Sequence, residues 1–181
     1  MPNWCSNNAS FYHEDPEQII KVRDAAREGK LFETFVPFPN GEWDYGWCVE
    51  NWGTKWDANM MEPAEYINEE TRTDGKKDIT LSFDTAWGPP TEFYAKMTEL
   101  GFDVDATYYE EGVQFAGHYT SEDGDYSVEY DFDDPDWREG IEDDDVLDIL
   151  EGLYESWLEW KELNEDDEEA DDGDNEEEES K

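Results

Sequence analysis

Residues 78–109 read DITLSFDTAWGPPTEFYAKMTELGFDVDATYY. From Asp78 to Trp87, Ile79, Leu81 and Phe83 alternate with Thr80, Ser82 and Asp84, the period-two pattern of a strand with one buried face. Gly88-Pro89-Pro90 stops that strand, because proline has no amide to give to a ladder. From Thr91 the period changes: Phe93, Tyr94, Met97 and Leu100 fall on one side of a helix, and Gly101 closes it. Phe102 to Tyr109 returns to strand.

Working toward the N-terminus, residues 3–12 (NWCSNNASFY) have strand character. Asp15-Pro16 is a helix entry, with Asp as N-cap and Pro at the first helical position, and Gly29 ends that helix. Leu31 to Pro39 reads as an extended connector that packs Phe32, Phe35 and Phe38, and Asn40-Gly41 as a turn. Cys48 to Trp52 is expected to be a strand, Met60 to Ile67 a short helix and Thr73-Asp74-Gly75 a turn. The order is β-α-β-β-α-β, a ferredoxin-like α+β arrangement with helices on one face of an antiparallel sheet. Toward the C-terminus, Val113–Tyr119 and Tyr126–Phe132 flank Glu122-Asp123-Gly124-Asp125 and predict an added hairpin. Asp143 to Leu163 predicts a long helix whose apolar stripe is Val146, Ile149, Leu150, Leu153 and Trp157. The expected organisation is a domain over 1–133, an acidic helix within 134–163 packed on it, and a disordered acidic tail over 164–181.

The chain has 181 residues, with 53 Asp+Glu against 12 Lys+Arg and a formal net charge of −41. Such charge normally signals disorder, but nine Trp, ten Tyr and nine Phe oppose it, since each large ring buries roughly 150–250 Å². Acidity rises along the chain: residues 101–163 hold 22 acids and two bases. Strong negative charge argues against direct binding of duplex nucleic acid, whose phosphates it repels. No apolar run approaches a membrane span, and the N-terminus lacks the basic-then-apolar order of a secretory signal. The expected location is the cytoplasm, where Cys5 and Cys48 stay thiols.

Three segments carry a family likeness: Pro2-Asn3-Trp4-Cys5-Ser6-Asn7, Glu50-Asn51-Trp52-Gly53-Thr54-Lys55-Trp56-Asp57, and Thr85-Ala86-Trp87-Gly88-Pro89-Pro90. Together with the Phe32-to-Pro39 stretch and Phe115-Ala116-Gly117, they resemble the YubB-type ferredoxin-like proteins of phages and plasmids over roughly residues 1–119. The resemblance implies a ferredoxin-like fold and a phage or mobile-element origin, hence the cytoplasm of an infected bacterial host. It implies no reaction, and it does not extend to the acidic helix and tail.

No complete catalytic motif is present, so no catalytic residue, metal or cofactor is expected. Cys48 with His118 would make a thiolate–imidazole pair, but neither residue has a supporting motif. The cysteines and histidines lack zinc spacing. A calcium loop starting at Asp123 fails, with Val128 and Asp134 where Gly and Glu are required.

Two surfaces remain as binding candidates. Asn51, Trp52, Thr54, Lys55 and Trp56, with Trp87, offer an amide, a hydroxyl, an ammonium and stacking rings, a set suited to a small molecule or to single-stranded nucleic acid. Against this, tryptophans in such a run are commonly core. The second candidate is the last helix. Asp144, Asp145, Asp148, Glu151, Glu155, Glu159 and Glu162 lie mainly opposite its apolar stripe. Eighteen residues of helix rise about 27 Å, so the seven carboxylates approach one charge per about 4 Å, against about 3.4 Å along one DNA strand. This surface is expected to engage a basic, nucleic-acid-binding host protein as a nucleic-acid mimic and to inhibit it. The plain alternative is a solvated helix face, or an accessory protein adapted to high salt.

Overall fold

The computed structural model describes residues 3–71 and 75–171, with side chains to residue 164. The chain divides into two compact units, Met1–Tyr130 and Asp131–Lys181.

The first unit is a seven-stranded antiparallel sheet with helices. Its elements are β1 (Trp4–Tyr12), α1 (Pro16–Arg27), α2 (Leu31–Phe35), α3 (Tyr45–Trp52), β2 (Asn59–Met60), β3 (Glu70–Thr71), β4 (Lys77–Ala86), α4 (Thr91–Glu99), β5 (Asp103–Glu110), β6 (Phe115–Thr120) and β7 (Gly124–Glu129). The strands run β2-β4-β1-β5-β6-β7, with β3 also on β4. Strands β4, β1 and β5 with α1 and α4 are the ferredoxin-like centre, and the fold is α+β as expected. Nine register pairs from Trp4↔Ala86 to Tyr12↔Asp78 join β1 to β4, so the alternation read from Asp78 onward faces Ile79, Leu81 and Phe83 into the core. Ile19, Val22, Phe93 and Met97 of α1 and α4 meet them, fully buried. The caps behave as their chemistry requires: Asp15 accepts from the Glu17 amide at 3.0 Å, and Gly101 takes φ +93° beyond α4.

Three local expectations are corrected. Cys48–Trp52 is helix, not strand. Asp44 caps it by accepting from the Trp47 amide at 2.8 Å, Gly53 ends it at φ +81°, and Cys48 and Trp52, one turn apart, share its buried side. Leu31–Phe35 is helix rather than extended, because Asp57 accepts from the Phe32 and Glu33 amides at 2.8 and 2.9 Å and satisfies donors that a helix start leaves open. Pro37 lies beyond its end, in keeping with the bias against helix before proline. Met60–Ile67 is not helical: Asn59 and Met60 pair with Asp84 and Phe83, and only Ile67 of the following turns is a buried hydrophobic. The edge of the ferredoxin-like sheet is therefore two short pieces, β2 and β3, rather than a strand at residue 48.

The added hairpin is present, joined by Thr120↔Gly124, and begins two residues away from the limits expected for each strand. It extends the sheet past β5.

The second unit holds α5 (Asp144–Asp171), begun by Asp143, which accepts from the Val146 amide at 3.0 Å. The helix runs past Asn164 into the stretch expected as tail; residues 172–181 lie outside the described residues. Phe132, Trp137, Tyr154 and Trp157 cluster with centroids 5.2–5.9 Å apart. Among the described residues, no helix is long and apolar enough to cross a membrane.

Candidate functional site

On α5 the seven carboxylates Asp144, Asp145, Asp148, Glu151, Glu155, Glu159 and Glu162 are all exposed, while Val146 and Leu150 are buried. Steps of three and four residues from Asp144 through Asp148, Glu151, Glu155 and Glu159 to Glu162 set six of them in one stripe. The two bases of residues 131–164 are both engaged. Arg138 pairs with Glu151 at 3.3 Å and lies over the Trp137 ring at 4.2 Å. Lys161 pairs with Asp133 at 3.1 Å and lies over Trp157 at 4.4 Å. Both cations are thus engaged near the aromatic cluster, and most of the stripe keeps its charge unmatched. Leu158, Trp160 and Leu163 are exposed on the same helix.

The structure divides the tryptophan-rich candidate. Trp52 is buried, its Nε1 donating to the Val36 carbonyl at 3.0 Å. Thr54 is buried and donates to the Ala86 carbonyl at 2.9 Å. Asn51 donates to the Trp47 carbonyl at 2.9 Å, inside its own helix. Asp57 holds α2, and burial pushes its carboxyl above the ordinary range. The contacts of these residues are those of architecture. Gly53 is required where it stands: a Cβ there would meet the Pro89 carbonyl at 3.1 Å and the Thr91 amide at 3.2 Å. The two motifs Glu50–Asp57 and Thr85–Pro90 thus meet backbone to backbone.

Lys55, Trp56 and Trp87 have another neighbourhood. Lys55 Nζ stands 4.4 Å above the Trp56 ring, and Trp56 packs on Trp4 with centroids 6.1 Å apart. The Trp43 indole donates to the Lys55 carbonyl at 3.3 Å. Trp87 sits at φ +77°, with its amide bonded to the Asn3 carbonyl at 2.9 Å; a left-handed conformation costs a bulky residue about 1–2 kcal/mol. Trp4 and Trp43 were missed in the sequence because β1 and the Asn40–Asp44 turn gave no sign of which rings face solvent.

Beside this surface an open cleft of about 520 Å³ is lined by Gly53, Pro89, Tyr108, Phe115, Asp125 and Glu129 among others, within the range of small-ligand pockets. Tyr108 donates to Asp125 at 2.8 Å, and burial raises both groups above their ordinary values. The thiols are not activated: burial pushes Cys5 up to about 12 and raises Cys48, whereas a nucleophilic cysteine needs a depressed value. His118 lies against Asp105 at 3.1 Å.

Residues 51–149 match the family model described as the ferredoxin-like domain in Api92-like protein. The chain belongs to that family. The Api92-like match takes in Trp52, Trp87, the cleft residues and the first six residues of α5, but not β1, α1 or the rest of the acidic helix. No curated protein and no solved structure matches the chain.

Proposed function

We propose that this protein is a non-enzymatic, phage-encoded acidic binding protein, related to YubB-type proteins, that acts in the cytoplasm of an infected bacterium. It engages a basic, nucleic-acid-binding host protein through α5 and inhibits it by standing in for nucleic acid. The observation that carries this reading is the stripe of exposed carboxylates on one helix, with both neighbouring bases already engaged. Carboxylates fixed along a rigid rod present a basic groove with a spacing of charge near that of a nucleic-acid strand, and long-range attraction speeds encounter. The competing pocket over residues 51–57 is weakened by the burial of Trp52 and Thr54.

The test is to mix tagged protein with host lysate at about 0.15 M salt, where charge acts over about 8 Å, and to identify what is retained. A basic nucleic-acid-binding protein, released by high salt and displaced by added DNA, is the expected result. Asp148→Lys with Glu155→Lys and Glu159→Lys should lose that partner while the first unit keeps its fold. Retention of nothing basic, or retention unchanged by the triple variant, overturns the reading.

A further inference from the structure

Residues Trp4, Trp43, Trp56 and Trp87 are 42, 52, 38 and 55 % exposed. They are linked through Trp4–Trp56 packing, the Trp43–Lys55 bond and the backbone bond from Trp87 to Asn3. Large exposed apolar patches mark interaction sites, and tryptophan is enriched where interfaces derive their energy. Trp87 is held outward in a conformation that its side chain disfavours. We infer that this surface of the first unit docks an arginine-bearing segment of a partner protein.

The charge around the rings selects that occupant. Glu42, Asp44 and Glu50 are exposed on the same segment, and Lys55 is the one base between residues 31 and 71. Phosphate-bearing ligands, anionic membranes and a second copy of this acidic chain are all disfavoured by a net charge of −41. A cation is favoured twice, by the carboxylates and by the negative faces of the indoles. The Trp56 ring already holds an ammonium at 4.4 Å, so these faces accept cations in this setting. Arginine suits them better than lysine: its guanidinium is flat, stacks on an indole and keeps its N–H donors in plane for carboxylates. The inference does not rest on α5.

The probes are deca-arginine and deca-lysine, equal in charge, titrated into the full chain at about 0.15 M salt. Deca-arginine is expected to bind about tenfold more tightly, from a few stacked contacts. A variant with Trp4→Ala, Trp43→Ala and Trp87→Ala removes three part-exposed rings and none of the fully buried core. Its far-UV spectrum and melting should stay near those of the parent, and Trp87→Gly alone, which suits the left-handed backbone, gives a second fold-preserving variant. The arginine preference should vanish in the triple variant and shrink in Trp87→Gly, with deca-lysine losing less affinity than deca-arginine. The α5 variant Asp148→Lys/Glu155→Lys/Glu159→Lys should weaken both peptides alike and leave their ratio intact. Equal affinity for the two peptides, a preference that survives loss of the rings, or one abolished by the α5 changes overturns the inference. So does ring-dependent binding of a single-stranded oligonucleotide in place of the arginine peptide. Failure to find a basic host protein leaves the peptide ratio untouched, so the two proposals fail separately.

Discussion

Each unit holds a cluster of large rings, and the two clusters are held in different ways. In the first unit, Phe32, Phe38, Trp47 and Trp52 pack at 5.0–5.7 Å, and the buried Trp52 indole finds a carbonyl at 3.0 Å. In the second, which gathers Phe132, Trp137, Tyr154 and Trp157, Arg138 lies over Trp137 and Tyr154 and Lys161 over Trp157, and the buried Trp137 Nε1 has no hydrogen-bond partner among the described residues. The first cluster is hydrophobic core and its rim, with its one fully buried indole satisfied. The second depends on two cations laid over ring faces in a strongly acidic segment. The same residue type therefore resists salt in one place and depends on ionic conditions in the other.

The most severe way to break the comparison is Trp52→Ala. Loss of a buried indole should cost about 3–5 kcal/mol, read by urea unfolding, and the cost should hardly change with salt. A loss below about 1 kcal/mol would show that Trp52 is not core. A subtler probe of the first unit is Glu69→Gln. Glu69 bonds Lys77 at 2.7 Å and Arg23 at 2.8 Å, and these partners, Lys77 foremost, hold its carboxyl down to about 2 from an ordinary 4.5. Because the folded value is the lower one, its contribution is complete above about pH 4.5 and fades as pH falls toward about 2. Thermal melts should show the parent more stable than Glu69→Gln near neutrality, with the curves converging through that window. Parallel curves would exclude this ion pair as a source of acid sensitivity. The smallest effect sharpens the contrast: Arg138→Ala should cost about 0.5–1 kcal/mol at low salt and less as salt rises, unlike Trp52→Ala.

Much of the fold was legible where one period ruled a whole element. Ile79, Leu81 and Phe83 alternate, and Phe93, Tyr94 and Met97 wind, so β4 and α4 were readable without neighbours. α2 was not, because the carboxylate that starts it, Asp57, lies more than twenty residues downstream. α3 was misread because a run dense in rings suits a strand equally well, and its decisive signals were a single cap at Asp44 and a left-handed Gly53. The edge strands escaped because two paired residues leave no periodic trace. On the acidic helix, spacing alone placed the carboxylates outward. The tryptophan surface was only half legible, since a motif names its rings without saying which of them the fold exposes: Trp52, on the buried side of α3, went inward, and Trp56 and Trp87 outward with Trp4.

Gly117 has a historical consequence. A Cβ there would fall on the ring and hydroxyl of Tyr108 and 2.6 Å from the Tyr126 carbonyl, so any other residue must dislodge the tyrosine that bonds Asp125. The two positions are therefore sterically coupled. Shrinking Tyr108 would relieve only part of the conflict, because the Tyr126 carbonyl of β7 still stands where the Cβ would fall. Living relatives that keep a tyrosine at the first position should therefore be locked to glycine at the second.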